Sequence, residues 1–164
     1  MSSRDSADQE QQTWQAPAGA GQMLQEARQT VPEVTAAQAK EALDRGEVAV
    51  LLDVREPNEW DQGHIPGAVH APRGMLEWYA DETTSYAKPE LTANKHERIV
   101  IACAGGGRSL LAAQTLQKMG YTNVASMAGG FNDWAKQGFP VQTIEPGASA
   151  ESPSGDASTE AKKG

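Results

Sequence analysis

The chain has one cysteine, two phenylalanines and a shortage of positive charge: 14 Lys and Arg stand against 22 Asp and Glu among 164 residues. A single cysteine excludes an intramolecular disulfide and a multi-cysteine metal cage. Residues 1–33, 34–142 and 143–164 carry net charges of −3, −3 and −2, so the acidity is spread out and no basic stripe exists. That excludes a dedicated nucleic-acid binder, which needs clustered Lys and Arg against phosphates. No apolar run reaches about 18 residues, so no membrane span is expected. Met1 to Gln12 is polar and partly acidic. It has neither a basic n-region nor an apolar h-region, so a secretory signal is not expected and a cytoplasmic protein is the simplest reading. The length suits one domain with tails.

The apolar residues, 38% of the chain, are concentrated in the middle. Met1 to Gly21 is rich in Ser, Gln, Asp, Ala and Gly, with Trp14 its only large apolar residue after Met1. The end of the chain has Pro146, Gly147, Pro153 and Gly155 and no aromatic. Such segments bury too little surface to offset their ordering entropy. Residues 1–21 are therefore expected to form a mobile extension, 22–142 the domain, and 143–164 a disordered tail. Docking of Trp14 and a helix over 22–29 carried by Met23 and Leu24 stay open as alternatives.

Within the domain two hydrophobic periods alternate. Val34 reads as a brief strand and Thr35 as the N-cap of a helix with Ala37, Ala39, Ala42 and Leu43 at near-helical spacing, ended by Gly46. Val48 to Val54 reads as a buried strand, Glu56 to Trp60 as a short helix with Pro57 in its first turn, and Ala68 to Ala71 as a short strand. Gly74 to Ala80 reads as helical, Asp81 to His96 as a long connection, and Arg98 to Ala102 as another buried strand. Arg108 to Met119 is a strong helix with Leu110, Leu111, Ala113, Thr115 and Leu116 on its apolar side. Val124 to Met127 is a strand, Gly129-Gly130 a turn, and Phe131 to Gln137 a last helix. Strands alternating with helices predict an α/β fold, a mostly parallel sheet covered on both faces.

The sharpest feature is Ile99-Val100-Ile101-Ala102-Cys103-Ala104-Gly105-Gly106-Gly107-Arg108-Ser109. A buried strand runs straight into a cysteine, four small residues follow, and an arginine opens a helix. Ligands of open parallel sheets sit beyond the strands' carboxyl ends. Glycines allow a curl in which several N–H groups point at one spot, and the following helix adds its positive end. A Cys103 thiolate at that spot is expected to be stabilised and nucleophilic. The competing reading is a buried small hydrophobe, which would not require three consecutive glycines.

Cys103 and Arg108 with four residues between them, set between a strand and a helix, Asp53-Val54-Arg55-Glu56, Gly63-His64-Ile65-Pro66-Gly67-Ala68, and Gly129-Gly130-Phe131 with Trp134 together resemble a single-domain rhodanese. The resemblance covers about residues 33–141. It implies a five-stranded rhodanese-like α/β fold and sulfur transfer through a persulfide on Cys103, cradled by Ala104, Gly105, Gly106, Gly107 and Arg108. The implied partners are a small sulfur donor, thiosulfate or a persulfide, and an acceptor, cyanide or a thiol, a protein thiol included. No metal and no organic cofactor is implied; His64, His70 and His96 are dispersed. Dual-specificity phosphatases and arsenate reductases resemble this fold but carry one residue more between the Cys and the Arg, which disfavours phosphoryl chemistry here. Thiosulfate-preferring members often carry a basic residue within the loop, and this loop has none.

The resemblance gives Asp53 and Glu59 structural ion-pair roles. Arg55 is placed either in that framework or against substrate. Arg108 either binds an anionic donor or folds back onto a carboxylate such as Glu59. Arg73, in Pro72-Arg73-Gly74, is a further candidate source of charge for the donor. His64 reads as a hydrogen-bonded fold element, because attack by a thiolate needs no base. Met75, Leu76, Trp78 and Tyr79 form either a site mouth or partner surface, or ordinary core. Against the enzyme stands one functional alternative: a rhodanese-like binding or regulatory module without turnover. A dedicated protein persulfide relay would differ in partner only.

Overall fold

The computed structural model of the protein describes residues 18–144. The expectations for Trp14, residues 1–17 and residues 145–164 lie outside the described residues. Strands β2 (Val50–Asp53) and β4 (Ile99–Ala102) are buried at every position, the pattern of strands covered on both faces. With β1 (Glu33–Thr35), β3 (Val69–His70) and β5 (Val124–Ala128) they form a five-stranded parallel sheet in the order β1-β5-β4-β2-β3. The helices are α1 (Ala20–Arg28), α2 (Ala36–Asp44), α3 (Pro57–Gln62), α4 (Leu76–Tyr79), α5 (Pro89–Thr92), α6 (Gly107–Lys118) and α7 (Gly130–Lys136), with a 3-10 turn at Arg73–Met75.

Alternation along the strands divides the core. Leu52, Ile99 and Ile101 point to one face, where Ala27 of α1, Leu76 of α4, Leu91 of α5 and Leu110 and Leu116 of α6 cover them. Leu51, Val100 and Met127 point to the other, under Ala36 and Ala39 of α2 and Trp134 of α7. Each fully buried Leu or Ile contributes about 1.5–3 kcal/mol. Thr35 caps α2 as expected: its Oγ1 accepts from Gln38 N at 3.0 Å, and Gln38 Oε1 accepts from Thr35 N at 2.9 Å.

Several local expectations shift. Because Thr35 sets the start of α2, Ala36 and Ala39 face the core and Ala37 is exposed. On α6, Ser109 and Ala112 are buried, while Thr115 lies at the edge and accepts from Arg73. The Asp81–His96 connection contains α5, one turn started by Pro89 and anchored by the fully buried Leu91. A single turn is too short to show a hydrophobic period. The helix left open over 22–29 is present and starts at Ala20, across the expected boundary at residue 21. Its Ala27, and Val31 one turn on, are buried. In the Met75–Tyr79 group Leu76 is core, whereas Trp78 is 48% exposed.

Strand register gathers three loops at one place. Asp53 pairs with Ala102 and Ile101 with Ser126, so β2, β4 and β5 end close together. The segments beginning at Val54, Cys103 and Gly129 leave the sheet side by side at its carboxyl edge.

Candidate active site

Cys103 leaves β4 into a cramped environment and is 1% exposed. Its carbonyl accepts from Phe131 N at 2.7 Å, and the Ala104 carbonyl accepts from Asn132 N at 3.0 Å. The first turn of α7 is thus braced directly on the backbone of the cysteine loop. Gly130, at φ 55°, permits this approach: a Cβ there would lie 2.4 Å from the Cys103 carbonyl oxygen.

The loop then reverses. Gly106, with φ 107°, donates its N–H to Cys103 Sγ at 3.0 Å. Among the described residues it is the one backbone amide hydrogen-bonded to the sulfur, where the sequence predicts several. The other polar contact is a side chain, Ser109 Oγ at 3.4 Å. Ala104 lines the cleft beside the loop, Gly105 is exposed, and Gly107 lies beneath Leu24 of α1, whose methyls would be 3.6 and 3.8 Å from a Cβ there.

Arg108 closes the loop, and its guanidinium folds back onto α3. Nη1 donates to Glu59 Oε1 at 2.6 Å and Nη2 to Oε2 at 3.0 Å, a bidentate pair. Glu59 Oε1 also accepts from Glu56 N at 2.9 Å, closing the capping box of α3. One carboxylate therefore starts a helix and pins the end of the loop. The Arg108 hydrogen bonds foremost, with help from the Glu56 N–H, hold the Glu59 carboxyl down at about 2 against burial, which opposes them. The same pair raises Arg108.

The sign of that shift makes stability depend on pH. A carboxyl lowered from 4.5 to about 2 contributes stability that is complete above pH 4.5 and is lost as the pH falls toward 2. Both partners are partly exposed, with side chains at 37% and 29%, so screening limits the contribution to about 1–2 kcal/mol. Glu59→Gln is expected to lose that amount at neutral pH and to show a flatter acid limb than wild type. Urea midpoints for both proteins from pH 6 down to 2 check this; parallel limbs would contradict it.

Asp53 and Arg55 form a second, buried pair. Arg55 Nη2 donates to Asp53 Oδ2 at 2.8 Å and to the Gly63 carbonyl at 2.7 Å, and Nε reaches both Asp53 oxygens at 3.1 Å. The guanidinium lies 4.2 Å from the centre of the Phe131 ring. Arg55 is thus built into the framework, with one side bordering the cleft. Arg73 goes elsewhere: it pairs with Glu77 at 3.3 Å and donates to Thr115 Oγ1, in the last turn of α6, at 3.0 Å. It is not brought to the cleft.

His64 is buried, bonds the Trp60 carbonyl through Nδ1 at 3.0 Å and stacks on the Trp60 ring at 3.6 Å. His70 stacks on the same ring at 4.6 Å and bonds the Arg55 carbonyl at 2.8 Å. Both imidazoles thereby support α3 and the Arg55 turn. The cleft, of about 240 Å³, is bordered by Arg55, Glu59, Gln62, Ala104, Phe131 and Asn132. Gln62, Asn132 and Ser126 escaped sequence reasoning. For Ser126 a signal existed: one hydroxyl inside a strand otherwise made of Val, Ala and Met.

Known proteins resemble this chain in sequence and fold. Residues 35–137 match the family model described as a rhodanese-like domain. Thiosulfate sulfurtransferase 16, a chloroplastic protein of Arabidopsis thaliana, is 33% identical over 99 residues, covering 56% of this chain and 78% of that one. The structure of RPA3614 from Rhodopseudomonas palustris, described as a protein of unknown function and possible tyrosine phosphatase, is 38% identical with a TM-score of 0.71. It covers 79% of this chain and 98% of its own. The human single-domain sulfurtransferase TSTD1 is 28% identical with a TM-score of 0.58, covering 65% and 97%. For several other curated relatives the match spans little more than half of their length, 51–58%.

Proposed function

The chain belongs to the rhodanese-like domain family, and from that premise we propose that it transfers a sulfane sulfur through a persulfide on Cys103. The observation that carries this reading is the sulfur's setting. It heads a four-residue loop closed by Arg108 and receives the Gly106 N–H at 3.0 Å, a preorganised donor for negative charge.

In the first half-reaction the Cys103 thiolate attacks the donor's outer sulfur. Its electron pair makes the new S–S bond. The donor's bond to that sulfur breaks, and the electrons leave on sulfite, from thiosulfate, or on a thiolate, from an organic persulfide. In the second, cyanide or a thiol attacks the terminal sulfur and the Cys103 thiolate departs. Splitting one transfer into two substitutions gives ping-pong kinetics. Ala104 to Gly107 cradle the terminal sulfur, Arg108 holds the loop shut through Glu59, and Asp53 and Arg55 fix the neighbouring wall.

The charges beside the cleft bear on the donor. Arg55 is paired with Asp53 and Arg108 with Glu59, and Arg73 is turned to Glu77. A dianion gains less from paired guanidiniums than from open ones. This supports a donor carrying its sulfane sulfur on an organic body over thiosulfate. Intact-mass measurement is the test. Exposure to an organic persulfide is expected to add the mass of one sulfur atom to the Cys103 peptide, with thiosulfate doing so more slowly, and cyanide or a thiol is expected to remove it. A peptide that gains no sulfur from either donor would overturn the reading.

A further inference from the structure

Ser109 and Ser126 are both fully buried. Ser126 belongs to β5, where Val124 faces the α6 side of the sheet and Met127 the other; alternation puts Ser126 on the α6 side. Its Oγ lies 2.7 Å from Ser109 Oγ, its one hydroxyl partner among the described residues. Ser109 Oγ lies also 3.1 Å from the Gly106 carbonyl oxygen and 3.4 Å from Cys103 Sγ. A buried hydroxyl without a partner costs about 1–3 kcal/mol, so the two serines are bound to each other by necessity.

The protons can be counted. Among the described residues Ser126 has one acceptor, Ser109 Oγ, and therefore donates to it. Ser109 has one proton and two acceptors, the Gly106 carbonyl and the sulfur. While Cys103 is a thiol, S–H donates to Ser109 Oγ, and the Ser109 proton goes to Gly106. When the sulfur becomes anionic it can no longer donate, and the Ser109 proton turns to it. Gly106 N–H then supplies a second hydrogen bond to the same anion. After sulfur loading the charge moves to the terminal sulfur, and the Ser109 proton returns to Gly106.

We propose that Ser126 is a positioning residue for the Cys103 sulfur: by donating to Ser109 Oγ, it keeps the Ser109 proton from pointing into the sheet and holds it available to the anion. It also polarises the Ser109 hydroxyl, which strengthens the bond that Ser109 gives. The inference rests on the proposed role of Cys103 as nucleophile, but its test needs no sulfur donor.

Because the chain has one cysteine, the ultraviolet absorbance of thiolate, read against Cys103→Ser, titrates Cys103 alone. Ser126→Ala leaves the Ser109 bond to the sulfur in place but unpolarised, and is expected to lower the thiolate fraction below the titration midpoint by about two- to fourfold, the share of one charged hydrogen bond that a second donor adds. Ser126→Thr, which keeps a hydroxyl on the same carbon, is expected to restore most of it. In a Ser109→Ala background, adding Ser126→Ala is expected to change nothing further, since the route to the sulfur is already cut. Alanine already stands at positions 125 and 128 of the strand, so the variant is expected to fold. The charged groups around the loop, Arg108 with Glu59, Arg55 with Asp53, and Asp133 beside Gly129, are the same in every variant. Superimposable titrations of Ser126→Ala and wild type would overturn the proposal. So would an effect of Ser126→Ala that persists undiminished without Ser109. If the variants titrate as expected but no donor loads sulfur, the relay stands and the sulfur-transfer reading falls.

Discussion

Cys103→Ser is expected to lower sulfur transfer by at least about a thousandfold, the scale on which removal of a covalent nucleophile acts. A serine oxygen in the same place can still accept the Gly106 N–H and contact Ser109, so the loop keeps its shape. What disappears is a polarisable, ionisable atom able to carry a second sulfur. The chain holds no other cysteine to take its place. Thiocyanate formation from thiosulfate and cyanide, with an organic persulfide as parallel donor, gives the rate. Unchanged denaturation midpoints would show that the loss is chemical. Equal rates for variant and wild type would leave the chain as a rhodanese-like module without turnover at Cys103.

Gly130→Ala is expected to damage the site through the fold. The new Cβ would stand 2.4 Å from the Cys103 carbonyl oxygen and 2.7 Å from that of Ala104, both backbone atoms, at a φ of 55°. Neither oxygen can yield without breaking the bonds from Phe131 N and Asn132 N that brace the loop. Overpacking, left-handed strain and lost hydrogen bonds together are expected to cost about 3–5 kcal/mol. Gly105→Ala is the control: its Cβ would meet nothing within 4 Å, and a change within about 0.5 kcal/mol is expected. Urea unfolding of both variants decides. A Gly130→Ala midpoint equal to wild type would mean that α7 does not rest on the cysteine loop as described.

Much of this architecture is legible in the order of residues alone. Val50–Leu52 and Ile99–Ala102 are apolar runs that only doubly covered strands need, and Thr35 reads as the N-cap of α2. Family membership follows from four motifs in order. What escapes are short or weakly patterned pieces. One turn at Pro89–Thr92 has no period to read, and α1 spends few apolar residues, relying on Leu24 and Ala27 against α6. The number of amides on the sulfur is overestimated from sequence because the loop's first two carbonyls are occupied by α7, a partner that starts 27 residues after Cys103.

By itself the sequence determined the strand, the cysteine, the glycine-rich four-residue loop and the helix after it, because these are contiguous and covalent order places them. It also determined that the sheet is parallel and covered on both sides, because burial pattern and helix spacing are local. Only the tertiary structure decided that Arg108 turns to Glu59 rather than to a donor, which hydroxyl reaches Ser109, and that Arg73 stands apart from the cleft. Glu59 is 49 positions from Arg108, and Ser126 is 17 from Ser109. At such distances a sequence reading offers candidate partners and does not choose among them. The register of β2, β4 and β5 removes that degeneracy by bringing three particular strand ends to one edge.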